Sequence, residues 1–190
     1  MAMQDPVTDK KKAIFDSTLQ LIREHGFHGT SMNGVAKNAS VATGTIYHYF
    51  ESKDQLICEI YDYYRDQLIK LIEEAIDNSQ AFKENFQRIW FILYHYYTSN
   101  TNILIFFEQF INSPYNTDRD HPAHSGPLYD FFKKGMDDGF LKQIEPRIAI
   151  VLTLSSVSST AKLTNFSNFS MDRGDLESVF NVLWDGFVRR

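Results

Sequence analysis

A single cysteine, Cys58, stands among 190 residues, so no disulfide can form within the chain and nothing in it calls for an oxidising compartment. Cys58 lies among Leu56, Ile57 and Ile60 with no basic neighbour to lower its pKa, and it reads as a small buried apolar residue in preference to a redox sensor. Apolar stretches such as 89–97 are broken by polar groups well short of the roughly 20 residues that a bilayer span requires. The opening MAMQDPVTDKKK lacks the apolar core of a secretory signal, and the expected location is the cytoplasm, with no membrane partner. There is no Gly-rich phosphate loop, no paired-cysteine zinc spacing and no Ser/His/Asp order on a recognisable nucleophile turn, so neither an enzyme nor a cofactor is expected. Asp118, Asp120, His121 and His124 make a conceivable metal group, but a polar loop around Pro122 explains them with less strain. His25 and His28 flank a glycine turn and read as surface or capping groups.

Positive charge is scarce as well. The net charge is −5, and residues 1–50 hold Lys10, Lys11, Lys12, Arg23 and Lys37 against Asp5, Asp9, Asp16 and Glu24, or 5 − 4 = +1, which leaves −6 for the rest. Any contact with nucleic acid must belong to the front of the molecule, and its electrostatic pull is modest. A hydrophobic content of 43% in 22.1 kDa is enough for a small N-terminal domain and a larger second one.

Residues 30–53, TSMNGVAKNASVATGTIYHYFESK, read as two short helices joined by a tight turn and followed at once by a third helix start. Thr30 or Ser31 can cap the first, and Met32, Val35, Ala36 and Ala39 recur at helical spacing to give it one apolar face. Residues 38–41 make the turn. Ala42 or Thr43 opens the second helix, whose Ile46 and Phe50 face inward while Thr43, Gly44, Thr45, Tyr47 and His48 face out. A helix that is small at its front and hydrogen-bonding throughout suits a DNA major groove about 12 Å wide. Gly44 permits close approach, and Thr45, Tyr47, His48 and Lys53 carry groups that can hold phosphates. Thr30, Ser31, Asn33 and Tyr49 complete the candidate DNA-binding set, with Thr43 and Asn33 as base readers. The plainer alternative is an ordinary surface helix, with Tyr47, Tyr49 and Phe50 as core rings.

The run Val41-Ala42-Thr43-Gly44-Thr45-Ile46-Tyr47-His48-Tyr49-Phe50, followed by Glu51-Ser52-Lys53-Asp54-Gln55-Leu56, resembles the recognition-helix signature of the tetracycline-repressor (TetR) family of bacterial transcription regulators. The resemblance covers roughly residues 10–57, taking in Ile14, Phe15, Leu19, Leu21 and Ile22 and the Gly26-Phe27-His28-Gly29-Thr30 connection. The chain departs from the family at Ser40, where glycine is usual. Ser40 must either take a left-handed backbone under mild strain or shift the turn type.

Beyond residue 53, Ser52 to Gln55 form a capping-box pattern, and Leu56, Ile57, Ile60, Tyr63, Tyr64, Leu68, Leu71, Ile72 and Ile76 mark an apolar stripe over about six turns. Further helices are predicted over 81–98, 101–112, 125–138, 145–163 and 172–189, punctuated by Pro114, Pro122, Pro127, Gly135 and Gly139. Sixteen Phe, ten Tyr and two Trp supply more ring surface than a small core needs. These rings can simply fill a bundle. The resemblance, however, implies an inducer pocket here, for which Tyr61, Tyr64, Phe86, Trp90, Tyr94, Phe107, Glu108, Phe110 and Phe131 are the candidate ligand-binding residues. Few fixed charges lie among them, which points to an apolar, aromatic or amphipathic small-molecule inducer. Glu108 leaves a lipophilic cation open, with ring attraction worth about 0.5–2 kcal/mol.

The last two predicted helices are apolar on more than one side. The resemblance implies that two copies pair them into a four-helix bundle, and Val151, Leu154, Ser158, Phe180, Trp184 and Phe187 are the candidate dimer interface, with Trp184 and Phe187 as anchors. A role in the core of one subunit is the alternative for both. The expectation is an all-α protein in which a three-helix helix-turn-helix domain over 1–53 is joined by a long helix to a helical ligand-binding and dimerisation domain over 54–190. Its expected function is that of a homodimeric repressor, released from a palindromic double-stranded DNA operator by its inducer. The alternative is a helical small-molecule carrier or enzyme without DNA binding.

Overall fold

The computed structural model describes residues 9–116, 125–167 and 169–189; the Asp118, Asp120, His121 and His124 group lies outside them. Among these residues the elements are α1 (Asp9–Gly29), α2 (Met32–Asn38), α3 (Thr43–Tyr49), α4 (Lys53–Ala75), α5 (Phe82–Ser99), α6 (Thr101–Ile111), a short 3-10 turn (Pro114–Asn116), α7 (Pro127–Asp137), α8 (Pro146–Phe166) and α9 (Arg173–Phe187). The fold is all-α as expected, and the β pairing among the described residues is one antiparallel bridge, Leu141 to Val188. No helix among them is long and apolar enough to cross a membrane. They fall into two compact units, one drawn from Met1–Tyr64 and Asn102–Arg119, the other from Arg65–Thr101 and Asp120–Arg190.

In the first unit, α1 packs on α2 and α2 on α3. Ile14, Phe15, Leu19 and Ile22 of α1, Met32, Val35 and Ala36 of α2, and Leu56, Ile57 and Ile60 of α4 are buried together with Phe106 and Phe110 of α6. The Ser17 hydroxyl donates to the Val35 carbonyl at 3.1 Å, and Lys11 meets Glu59 at 2.7 Å. Ser31 caps α2, its hydroxyl accepting from the Gly34 N–H at 3.1 Å. At the other end Val41 N–H donates to Ala36 O (3.0 Å) and Ser40 N–H to Lys37 O (3.3 Å). That pair of bonds is the Schellman closure, which demands a left-handed residue just past the cap. Ser40 supplies it at φ 54, so of the two options open in the sequence the chain keeps the turn and accepts the strain.

In the second unit, α5 and α7 both pack on α8, and α9 packs on α5 and α8. Phe86 sits among the rings of Phe132 (5.4 Å), Phe180 (5.3 Å) and Phe187 (6.0 Å). Polar edges are satisfied in pairs: Trp90 Nε1 donates to Ser156 Oγ at 3.0 Å, and the Tyr94 and Thr164 hydroxyls meet at 2.9 Å. Gly135 is required by packing, since a Cβ there would lie 2.3 Å from the Phe82 ring. Helix α4 stops at Ala75, leaving Ile76 outside the helix, because Asn85 takes both the N–H (2.7 Å) and the carbonyl (2.8 Å) of Asp77. The hydroxyl and N–H of Ser79 hold the Asp77 carboxylate below its ordinary pKa.

Replacing Ser40 with glycine removes the left-handed strain at the cost of a looser unfolded chain, and Ser40→Gly is expected to stabilise the protein by about 0.5–1 kcal/mol. Ser40→Val is expected to act in the opposite direction. The midpoints of urea unfolding curves compare the two; no rise for Ser40→Gly would mean that the turn is not strained.

Candidate nucleic-acid interface

Helix α3 is fastened by its inner face. Ile46 and Phe50 are each 0% exposed, with the Phe50 ring 5.9 Å from that of Phe15 and the Lys11 ammonium 5.4 Å over it. The outer face is left to solvent. Gly44, Tyr47 (53% exposed) and His48 are exposed, while Thr43, Thr45 and Tyr49 are half-buried. On α2, which packs against α3, Asn33 is exposed, as is the capping Ser31. These eight of the ten expected residues lie where a duplex can reach them or their immediate neighbours.

Thr30 does not, and Lys53, half-buried like Thr43, is also engaged within the subunit. Thr30 is 2% exposed and its hydroxyl donates to the Gly26 carbonyl at 2.9 Å, so it closes the α1–α2 turn and has no face to offer a phosphate. The Lys53 ammonium donates to the carbonyls of Phe27 (3.0 Å) and Thr30 (3.2 Å), which makes it a brace for that same turn. Both sets of contacts have one cause: the backbone leaves helical geometry at Gly26 (φ 68, ψ 179), and the carbonyls so freed need donors. Lys37, outside the expected set, is exposed in the last turn of α2, where its charge adds a further candidate phosphate partner.

The expected ligand residues fall in different units. Tyr61, Phe107 and Phe110 form a ring cluster in the first, where Tyr61 stacks on Phe110 at 4.0 Å, Tyr64 donates to Asp16 at 3.3 Å and Glu108 is half-buried on α6. Phe86, Trp90, Tyr94 and Phe131 belong to the core of the second. Among the described residues no group of three or more His, Cys, Asp or Glu is placed to hold a metal ion.

A groove of about 590 Å³ runs along α8 and α9, lined by Leu152, Ser156, Ser159, Thr160, Ser178, Val179, Val182, Leu183, Gly186 and Phe187. None of its lining residues is ionisable. Of the expected interface residues, Val151 is 60% exposed and Leu154, Ser158 and Trp184 are half-buried. Phe180 (0% exposed) is a core residue with its ring packed on Phe86, and Phe187 (5%) packs on Phe86 as well while lining the groove. The outward places are taken instead by Val182, 76% exposed, and Leu152.

Two family descriptions match the chain: "Bacterial regulatory proteins, tetR family" over residues 14–60 and "Tetracyclin repressor-like, C-terminal domain" over residues 81–188. A Haemophilus influenzae protein named as an uncharacterized HTH-type transcriptional regulator is 27% identical over 182 residues, which is 96% of this chain and 97% of its own. The crystal structure of a TetR family transcription regulator from Marinobacter aquaeolei has the same fold, with a TM-score of 0.87 at 22% identity over 95% of this chain and 96% of its own. A Bacillus subtilis transcriptional regulator solved in complex with stearoyl-CoA shares the fold at a TM-score of 0.66 and 20% identity, over 92% and 95% of the two chains.

A Cβ added at Gly44 meets nothing within 4 Å, so nothing inside the subunit requires glycine there. Gly44→Ala is therefore expected to stabilise the free protein by about 0.5–1 kcal/mol while weakening its hold on DNA at least tenfold. Thermal unfolding and fluorescence anisotropy with labelled duplex read the two effects separately. Unchanged anisotropy would show that no nucleic acid approaches Gly44 closely.

Proposed function

The chain belongs to the TetR family of bacterial transcription regulators, and on that footing we propose that it is a cytoplasmic repressor that binds a palindromic operator as a homodimer and leaves it when an amphipathic small molecule binds. Members of this family are regulators and not enzymes, which removes the catalytic alternative. The observation that carries the proposal is the division of labour on α3, where Ile46 and Phe50 anchor the inner face and Gly44, Tyr47 and His48 are left exposed.

In this reading the first turn of α3 enters a major groove. Thr43 and Asn33 reach base edges, and Tyr47, His48 and Lys37 hold the flanking phosphates. A net charge of +1 over residues 1–50 supplies little long-range attraction, so the fit of the helix must supply much of the affinity. Two copies joined through the uncharged α8 and α9 groove would form an isologous contact, in which Val182 and Leu152 of each copy cover the same face of the other. Their reading heads would then meet half-sites about 34–36 Å apart, or a multiple of that. A ligand releases the dimer only by as much as it prefers the unbound shape, typically about 1–3 kcal/mol. An apolar or acyl-chain-bearing molecule is the ligand class that this reading takes, the chemistry that the Bacillus subtilis regulator holds as stearoyl-CoA.

Anisotropy of a labelled duplex from upstream of the protein's own gene tests the reading. Binding is expected to be competed by the unlabelled fragment, to weaken as salt is raised and to be lost in Tyr47→Ala; no binding to any upstream fragment at low salt would refute it. Val182→Glu alters a residue that is 76% exposed, so the subunit should still fold, but the buried charge should split the dimer. Light scattering is expected to show a dimer for the natural chain and a monomer for this variant, and a variant that remains dimeric would exclude this face as the contact.

A further inference from the structure

The direction of α2 and α3 is only as well defined as the turn that leads into them. Helical geometry is interrupted at Gly26, and after this kink residues 27–30 carry the chain into α2. Several side chains grip this turn. Lys53 Nζ holds the carbonyls of Phe27 and Thr30, and Gln109 of α6 donates to the Ile22 carbonyl at 3.3 Å. The Phe27 ring lies edge-on between two others, 5.9 Å from Phe106 and 5.2 Å from Tyr115.

Tyr115 is itself fixed. Its hydroxyl donates to Asp54 Oδ1 at 3.0 Å. Burial, reinforced by that hydrogen bond, pushes its pKa up to about 12, so the phenol remains a neutral donor at any physiological pH. Lys53 and Asp54 are neighbours at the start of α4, and the contacts therefore close on themselves. Asp54 holds Tyr115, Tyr115 holds the Phe27 ring, and Lys53 holds the Phe27 carbonyl. Ring contacts alone are weakly directional, whereas a hydrogen bond to a carboxylate selects one placement of the ring. The hydroxyl thus sets where the Phe27 turn is pinned.

We propose that Tyr115 is a positioning residue for DNA reading: it touches no nucleic acid, and through Asp54 and Phe27 it fixes the direction in which the chain enters α2 and α3. The proposal rests on the reading of α3 as the helix that enters the groove. Asp54 and Tyr115 stand 61 positions apart in the chain, so the link from Tyr115 to the reading head exists only in the folded protein.

A double-mutant cycle on the full chain, read by anisotropy with the upstream duplex, tests the proposal. Tyr115→Phe keeps the ring and removes the hydroxyl, and it is expected to weaken specific binding about 3- to 10-fold. Asp54→Asn keeps an acceptor oxygen and is expected to bind within about twofold of the natural chain, whereas Asp54→Ala should match Tyr115→Phe. Tyr115→Phe combined with Asp54→Ala should be no weaker than either alone, and additive losses would overturn the proposal. Amide hydrogen exchange gives a readout that needs no DNA: it is expected to quicken over 43–49 in Tyr115→Phe while 9–22 is unchanged. Unchanged exchange over 43–49 overturns the proposal whatever the affinities. If the natural chain binds no duplex at all, the repressor reading fails, and the exchange measurement still decides the role of Tyr115.

Discussion

A helix of seven residues forms too few hydrogen bonds to hold itself in water, so α3 exists because Ile46 and Phe50 are buried against the rest of its unit. Each such side chain contributes about 1.5–3 kcal/mol when fully buried. With stability supplied from the inner face, the outer face is free to be small and polar. Gly44 illustrates the consequence: it weakens the helix and fills no gap within the subunit, and its open surroundings make sense if a partner comes close.

The polar groups of the first unit are largely engaged in shaping it. Lys11 pairs with Glu59, Lys12 with Asp16, and Lys53 with two backbone carbonyls. On the proposed reading, little net positive charge is available to draw DNA in, and the geometry of α2 and α3 carries more of the burden. Side chains from α4 and α6 converge on the turn at Gly26 that leads into those helices.

The second unit shows two kinds of apolar surface. One is a closed core, in which rings pack on Phe86 and the polar edges of Trp90 and Tyr94 find hydroxyl partners. The other is the outer face of α8 and α9, where Val151, Leu152 and Val182 are exposed beside serines and Gly186. A contiguous apolar face without charge is a costly thing for a monomer to show to water, and a second copy is the simplest way to cover it.

Local spacing made much of this legible in the sequence. The inward pair Ile46 and Phe50 follows from helical periodicity, which acts over a few residues, while at the cap of α2 and at Ser40 backbone sterics narrowed the sequence to two options each and the fold chose Ser31 and the left-handed turn. The inward turn of Thr30 and Lys53 was not legible, because it answers to carbonyls that Gly26 frees only once the chain is folded. Nor could periodicity sort the sides of α9, which is apolar on more than one: α5 and α7 bring their rings to Phe180 and Phe187, and that contact, made between segments far apart in sequence, is what leaves Val182 facing out.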